Sequence, residues 1–379
     1  MILTIILFLL VLAVLIFVHE LGHFIVAKLC GVRVDEFCVG FPPRIASWGK
    51  GETKYSIGMI PFGGFVKIFG EDGNEAEKKE VGKSPDALLR QELPRNHKEG
   101  ISFSVISKWK QASILLSGIF FNLIFAWILI SLSFTMGMIT SVDMAQKNIA
   151  TNVSTIVLSV TKDSPAEKAG IMLGDRIINI SNEKESFNIP SMTEVQKVVK
   201  ESVSSVKVTY SRNDVQKEVS VIPEISNGVK MVGVAMDTVG TIKYGFFRSF
   251  YEGGKETIII AGKVLVGLYD LIKNSIFGKA DFSQVTGPVG IAGMVNQARF
   301  FGISYFLGFI ALISINLGMI NLVPFPALDG GRVLFVAIEA VFRREIKPII
   351  ANILNIIGFA LLILLMAVLT FKDIAKLIK

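Results

Sequence analysis

Apolar residues along this chain fall into two regimes. In four stretches they run without a charged side chain: residues 1–18, Gln111–Val142, Phe300–Leu328 and Ile349–Phe371. A helix needs about 20 apolar residues to cross the hydrocarbon of a bilayer, so each stretch predicts a membrane span. The first lacks a basic start and a small-residue cleavage site and runs directly into His19-Glu20. It reads as a retained helix rather than a signal peptide. Between the second and third spans the pattern is that of a folded α+β domain. Val153–Val160 predicts a strand, Ser164-Pro165-Ala166-Glu167 a capped helix start closed by Gly170, and Asp175–Ile180 a second strand. Ser191 with Glu194 opens another helix that runs to Glu201, and Val206–Arg212 with Val215–Ile222 alternates as a hairpin around Asn213-Asp214.

The chain therefore divides into a first transmembrane helix over 1–24, a cytoplasmic-side segment over 25–110 and a second span over 111–142. A globular domain over 150–224 and an amphipathic or linker region over 225–299 come next. A third span over 300–330 and a fourth over 349–371 complete it. Residues 243–275 carry Lys255, Lys263 and Lys273 among apolar positions. That pattern fits a helix on the outer membrane surface, and equally a soluble helix packed on the globular domain. Residues 71–100, which include His97, are highly charged and read as a mobile cytoplasmic loop.

Composition sharpens this. Of 379 residues 51% are hydrophobic and only 19% charged, which makes an ordinary soluble enzyme a poor fit. The net charge of +7 suits anionic lipid, and with four spans a membrane rather than nucleic acid is the expected partner. Lys28 and Arg33 follow the first span, Lys108 and Lys110 precede the second, and Arg343, Arg344 and Lys347 precede the fourth. Those ends are expected in the cytoplasm. The N-terminus, segment 143–299 and the C-terminus are then outside, although Lys372, Lys376 and Lys379 pull the last the other way. Cys30 and Cys38 make neither a C-x-x-C zinc pattern nor a disulfide framework.

His19-Glu20-Leu21-Gly22-His23 is an H-E-x-x-H motif using two of the three histidines in the chain. Four residues apart on a helix, both imidazoles share one face and can hold one metal ion. Glu20 is rotated off that face and can reach a water beside the metal without being a ligand. A carboxylate at the end of an apolar span is costly and points to function. A third ligand is expected, and Asp329, in Asn321-Leu-Val-Pro-Phe-Pro-Ala-Leu-Asp-Gly330, lies at the same predicted membrane face. Pro324 and Pro326 would break the helix there.

Taken in order, these motifs resemble the site-2 protease family across essentially the whole chain, above all the bacterial four-span regulators of intramembrane proteolysis that release an anti-sigma factor. Ser164–Ile178 likewise resembles the signature of PDZ domains in bacterial proteases. The implied fold is a multi-pass α-helical membrane protein with four transmembrane helices, a membrane-associated β-loop and an inserted α+β PDZ domain. The implied activity is a zinc-dependent intramembrane endopeptidase of the bacterial inner membrane. It would cut transmembrane segments of single-pass proteins, such as anti-sigma factors or signal-peptide remnants, after a first cut by another protease.

By the same resemblance His19, His23 and Asp329 bind Zn2+, Glu20 activates water and Asn321 binds the substrate backbone. Ile60–Lys67 resembles the family's membrane re-entrant β-loop, so Phe62, Gly63 and Gly64 join Pro324, Pro326 and Asn122 beside the substrate. A plain β-turn is the other reading of Phe62–Phe65. Gly287-Pro-Val-Gly290 resembles a family motif before the third span, and Gly118 with Asn122 fits part of G-P-x-x-N. The chain departs from the family at Gly40-Phe41-Pro42-Pro43, which lacks a second glycine, and at Ile119, where proline is usual. A PDZ domain can bind a peptide or act as a filter, and the motif does not choose between them. A catalytically silent scaffold would lack a ligand or the base, and all four residues are present. A metal transporter would be expected to show internal repeats, which are not seen.

Overall fold

The computed structural model describes residues 2–49, 51–71, 100–141, 150–212, 215–226, 229–278, 285–344 and 346–378. Most of the charged segment 71–100, His97 included, lies outside them. The chain forms two compact units: one of residues 1–130, 252–297 and 309–379, the other of 131–251 and 298–308.

In the first unit, helix α1 (Ile2–Leu29) carries the H-E-x-x-H residues on its last turns and ends at Gly31, whose φ of +77° suits glycine. Strands β1 (Val34–Trp48) and β2 (Lys54–Ile68) then pair antiparallel as an irregular two-stranded sheet. Helix α2 (Lys108–Met136) packs tightly on α1, because a Cβ at Gly22 would lie 2.6 Å from the Ser117 carbonyl oxygen. Leu3, Ile6 and Leu10 on α1 are more than half exposed, an outer face suited to lipid rather than water.

The second unit is a sheet of seven strands. They are β3 (Met138–Ser141), β4 (Thr151–Val160), β5 (Arg176–Ser181), β6 (Ser186–Asn188), β7 (Val206–Arg212), β8 (Val215–Val221) and β11 (Val234–Ile242). The order is β3-β11-β4-β5-β7-β8, with β6 on β5. Strands β9 (Glu224–Ser226) and β10 (Val229–Met231) form a separate small pair. Helix α3 (Pro165–Lys168) is capped by Ser164, and α4 (Met192–Glu201) by a Ser191/Glu194 box. Apolar residues of strand and helix, among them Val157, Ile177, Val198 and Val206, make the core. Asp175, fully buried, is held by Arg212 through two bonds of 2.7 Å.

Helix α5 (Phe246–Ile276) covers the predicted amphipathic stretch. Helices α6 (Pro288–Phe300), α7 (Ile303–Leu322), α8 (Asp329–Phe342) and α9 (Pro348–Ile378) complete the chain. Among the described residues, four helices are long and apolar enough to cross a membrane: Leu3–Leu29, Lys108–Met136, Ile303–Leu322 and Pro348–Ala375.

Three predicted boundaries are corrected. The second span stops at Met136 rather than 142, because Gly137 takes a φ of +101° and the chain enters β3. The sheet domain exceeds 150–224: β3 and β11 flank it, and β11 pairs with β4 through long-range register that local alternation does not reveal. The third span does not run to 330. It stops at Leu322, and Asp329 opens a separate helix. Pro324 and Pro326 deny the backbone donors a continuing helix would need. The short break closes on itself, since a Cβ at Gly330 or Gly331 would fall 2.3 Å from the Leu322 oxygen or 2.2 Å from that of Phe325.

Candidate metal centre

Three side chains from two helices meet in the first unit. Nε2 of His19 lies 3.0 Å from Oδ2 of Asp329, Nε2 of His23 lies 3.3 Å from the same oxygen, and the two nitrogens are 3.3 Å apart. Ligands at about 2.0–2.1 Å around a tetrahedral zinc stand about 3.3 Å from one another. The three atoms therefore have the spacing of three corners of a zinc site. Oδ2 of Asp329 is buried and accepts no hydrogen bond. Three lone pairs facing one another call for a cation between them. This is the group of His, Cys, Asp and Glu side chains among the described residues that could hold a metal ion.

The outer nitrogens support this orientation. Nδ1 of His23 lies 2.8 Å from the Ile114 carbonyl oxygen and donates to it, which leaves Nε2 as a lone pair. Nδ1 of His19 lies 3.1 Å from the Asn122 amide nitrogen, while the Asn122 oxygen is buried without a partner. With the His19 proton on Nδ1, half a turn of that amide presents its oxygen as the acceptor and satisfies both groups. Asn122 is fully buried behind His19. The sequence reading sets it beside the substrate; in the structure its amide meets the His19 imidazole.

The floor of the site is backbone. A Cβ at Gly118 would fall 2.5 Å from Nε2 of His23 and 2.7 Å from Cε1 of His19. Glycine here lets α2 close against the imidazole pair.

Glu20 opens into a cavity of about 530 Å³ that also reaches His23 and Asp329. Its opposite wall is the end of β2, from Gly64 to Ile68. Gly64 comes close to it, because a Cβ there would lie 3.2 Å from Cγ of Glu20. Nδ2 of Asn321 is 3.4 Å from Nε2 of His19, at the rim of the ligand group. Pro324 and Pro326 shape the break before α8 and do not line this cavity; Ala327, held at a φ of +73°, does. Gly63 does not line it either, and the side chain of Phe62 lies outside the described residues. Two charged lining residues were not singled out from sequence: Arg332, one turn after Asp329, and Glu71, three residues beyond β2. A cation in the first turn of a mostly apolar helix was the available signal.

Residues 7–365 match peptidase family M50. The chain belongs to peptidase family M50. It is 32% identical to the zinc metalloprotease RasP of Oceanobacillus iheyensis and 30% identical to that of Bacillus licheniformis, each comparison covering 99% of both chains. This M50 peptidase is thus a zinc metalloprotease of the site-2 protease family, with Zn2+ as its cofactor and membrane proteins as the family's substrates. Its four apolar helices agree with a multi-pass membrane protein.

Proposed function

We propose that this peptidase hydrolyses a peptide bond within, or at the cytoplasmic edge of, the transmembrane helix of a single-pass protein. One observation carries the reading. His23, Asp329, the Glu20 carboxylate and the edge of β2 line one cavity, with His19 joined to the first two as a ligand group, at the end of a helix that is free of charge over residues 1–18. His19, His23 and Asp329 hold the zinc. Bound there, zinc supplies a Lewis acid that brings the pKa of water toward about 7 and polarises a carbonyl. Glu20 takes the proton of the attacking water and returns it to the leaving amine. Asn321 turns its amide N–H toward the carbonyl oxygen on which charge develops. A helical substrate hides its peptide groups in its own hydrogen bonds, and β2 near Gly64 offers strand pairing to the unwound segment.

The sheet domain acts as an extracytoplasmic PDZ filter in the bacterial inner membrane, and the active site lies toward the cytoplasm. The capped Ser164 helix start and the basic residues Lys28, Arg33, Lys108 and Lys110 support that arrangement. Substrates of the anti-sigma-factor type, or signal-peptide remnants, then arrive already shortened by another protease. Replacing residues 138–242 by a flexible linker tests the filter. Cleavage of unshortened substrate supports it, and continued resistance removes it.

The catalytic reading is tested with purified wild type and Glu20→Gln. Equal zinc in both, with transmembrane peptides cut by the wild type and slowed by about 10²-fold or more in the variant, supports it. Equal cleavage by both overturns the role of Glu20.

A further inference from the structure

The guanidinium of Arg332 donates from Nη1 to Oε1 of Glu71. Each partner sits on one side of the cavity. Arg332 is one turn after Asp329 on α8, so the two side chains share a helix face. Glu71 ends the described run that leaves β2, where Glu71 N–H bonds back to the Ile68 oxygen at 3.3 Å. Both residues also line a second, smaller cavity of about 160 Å³ that includes Lys108 and Glu339. The pair, like Leu115, therefore borders both cavities, and it ties the strand wall to the helix that carries Asp329.

Helix formation does not account for this arginine, because a cation in the first turn opposes the helix dipole. Nor does exposure: the Glu71 side chain is 12% accessible, so its carboxylate needs a partner. The rest of this strand end is also fixed. Phe69 donates to the Arg33 oxygen at 2.9 Å and accepts from Phe103 at 2.8 Å. Gly70, at a φ of +77°, has no room for a Cβ beside the Ser102 hydroxyl. Those contacts hold the strand to its own neighbours. The Arg332–Glu71 bond runs from this strand end across to α8.

We propose that the Arg332–Glu71 ion pair is a positioning clamp that sets the gap between the β2 edge and the Asp329 side of the metal centre. Neither residue takes part in bond breaking. The inference rests on the strand edge receiving substrate, as proposed above. A displacement of about 1 Å in such a gap can cost 100-fold in rate, so a single ion pair is enough to matter.

The test compares full-length wild type with Arg332→Ala, Glu71→Ala, Arg332→Lys and the reversed pair Arg332→Glu/Glu71→Arg, all in detergent with zinc. Bound zinc, hydrogen exchange across residues 63–68, and kcat and KM on a helical transmembrane peptide are measured. Both alanine variants are expected to keep their zinc, to exchange faster across 63–68 and to lose about 100-fold in kcat/KM. Arg332→Lys and the reversed pair are expected to recover roughly tenfold or more of that loss, and the two alanine effects to be non-additive. Loss of zinc from an alanine variant overturns the proposal, since the pair would then serve the ligand set. Unchanged exchange, full activity or additive losses overturn it as well. The zinc and exchange measurements need no cleavage, so a wild type that cuts no transmembrane peptide defeats the catalytic reading and leaves the clamp to be judged on exchange alone.

Discussion

The amide of Asn122 stands 3.1 Å from Nδ1 of His19, on the side of the ring away from Asp329. It orients a metal-facing imidazole from behind. Partners of this kind change metal affinity by about 10–100-fold when removed. Asn122→Ala should therefore weaken zinc binding by about that factor, while Asn122→Asp, which keeps an acceptor, should hold zinc near the wild-type level. Chelator competition reads both. A raised KM with unchanged zinc affinity would return Asn122 to the substrate side.

Gly118 separates metal assembly from folding. Alanine is the better helix former by about 0.5–1 kcal/mol, so Gly118→Ala should leave α2 intact. Its methyl would nevertheless stand 2.5 Å from Nε2 of His23. The expected result is unchanged far-UV circular dichroism with zinc content and cleavage both lost. Full zinc occupancy in Gly118→Ala would show that the imidazoles can retreat from α2.

The Gly287–Gly290 motif has a structural partner in the last helix. Oδ2 of Asp373, a buried side chain, accepts the Gly290 N–H at 2.8 Å in the first turn of α6. Beside it, Lys372 donates to the Val285 oxygen at 2.7 Å. Asp373→Ala should lower stability by about 1 kcal/mol, the usual worth of a helix cap, and Asp373→Asn should restore most of it. Unfolding in mixed micelles measures the difference. Equal stability of Asp373→Ala and wild type would make the contact incidental.

Glu183 supplies a pH signature in the sheet domain. Hydrogen bonds from the Ser204 hydroxyl and from backbone N–H groups, those of Ser204 and Val203 included, pull its carboxyl down from 4.5 to about 2. A depressed acid favours the folded state above its ordinary value, and that contribution fades as pH falls from 4.5 toward 2. Ser204→Ala should shift the Glu183 titration upward, as read by carboxyl carbon NMR. A titration that stays near 2 would assign the shift to the backbone donors alone.

Much of this protein is local, and what is local can be read from sequence. Four charge-free runs determine four apolar helices, because a run of that length has few other ways to satisfy its backbone away from water. His19 and His23 share a helix face by the 3.6-residue turn alone. Ser164 and Ser191 announce their helices because a cap acts over three residues.

Pairings across long separations were decided only by the tertiary structure. Strand β11 joins β4 from some eighty positions away, so its membership in the sheet left no local period to read. Asn122 contains nothing in its own neighbourhood to say that it backs His19, 103 positions earlier, rather than meeting a substrate. Arg332 and Glu71 are 261 positions apart, and neither one's local sequence names the other as its partner. The sequence by itself determined which groups could do chemistry, because side-chain type and helical phase are local properties. Which of them face the metal, which stand behind it and which hold the walls apart was decided by how α1, α2, β2 and α8 pack, since those distances exist only once the chain has folded.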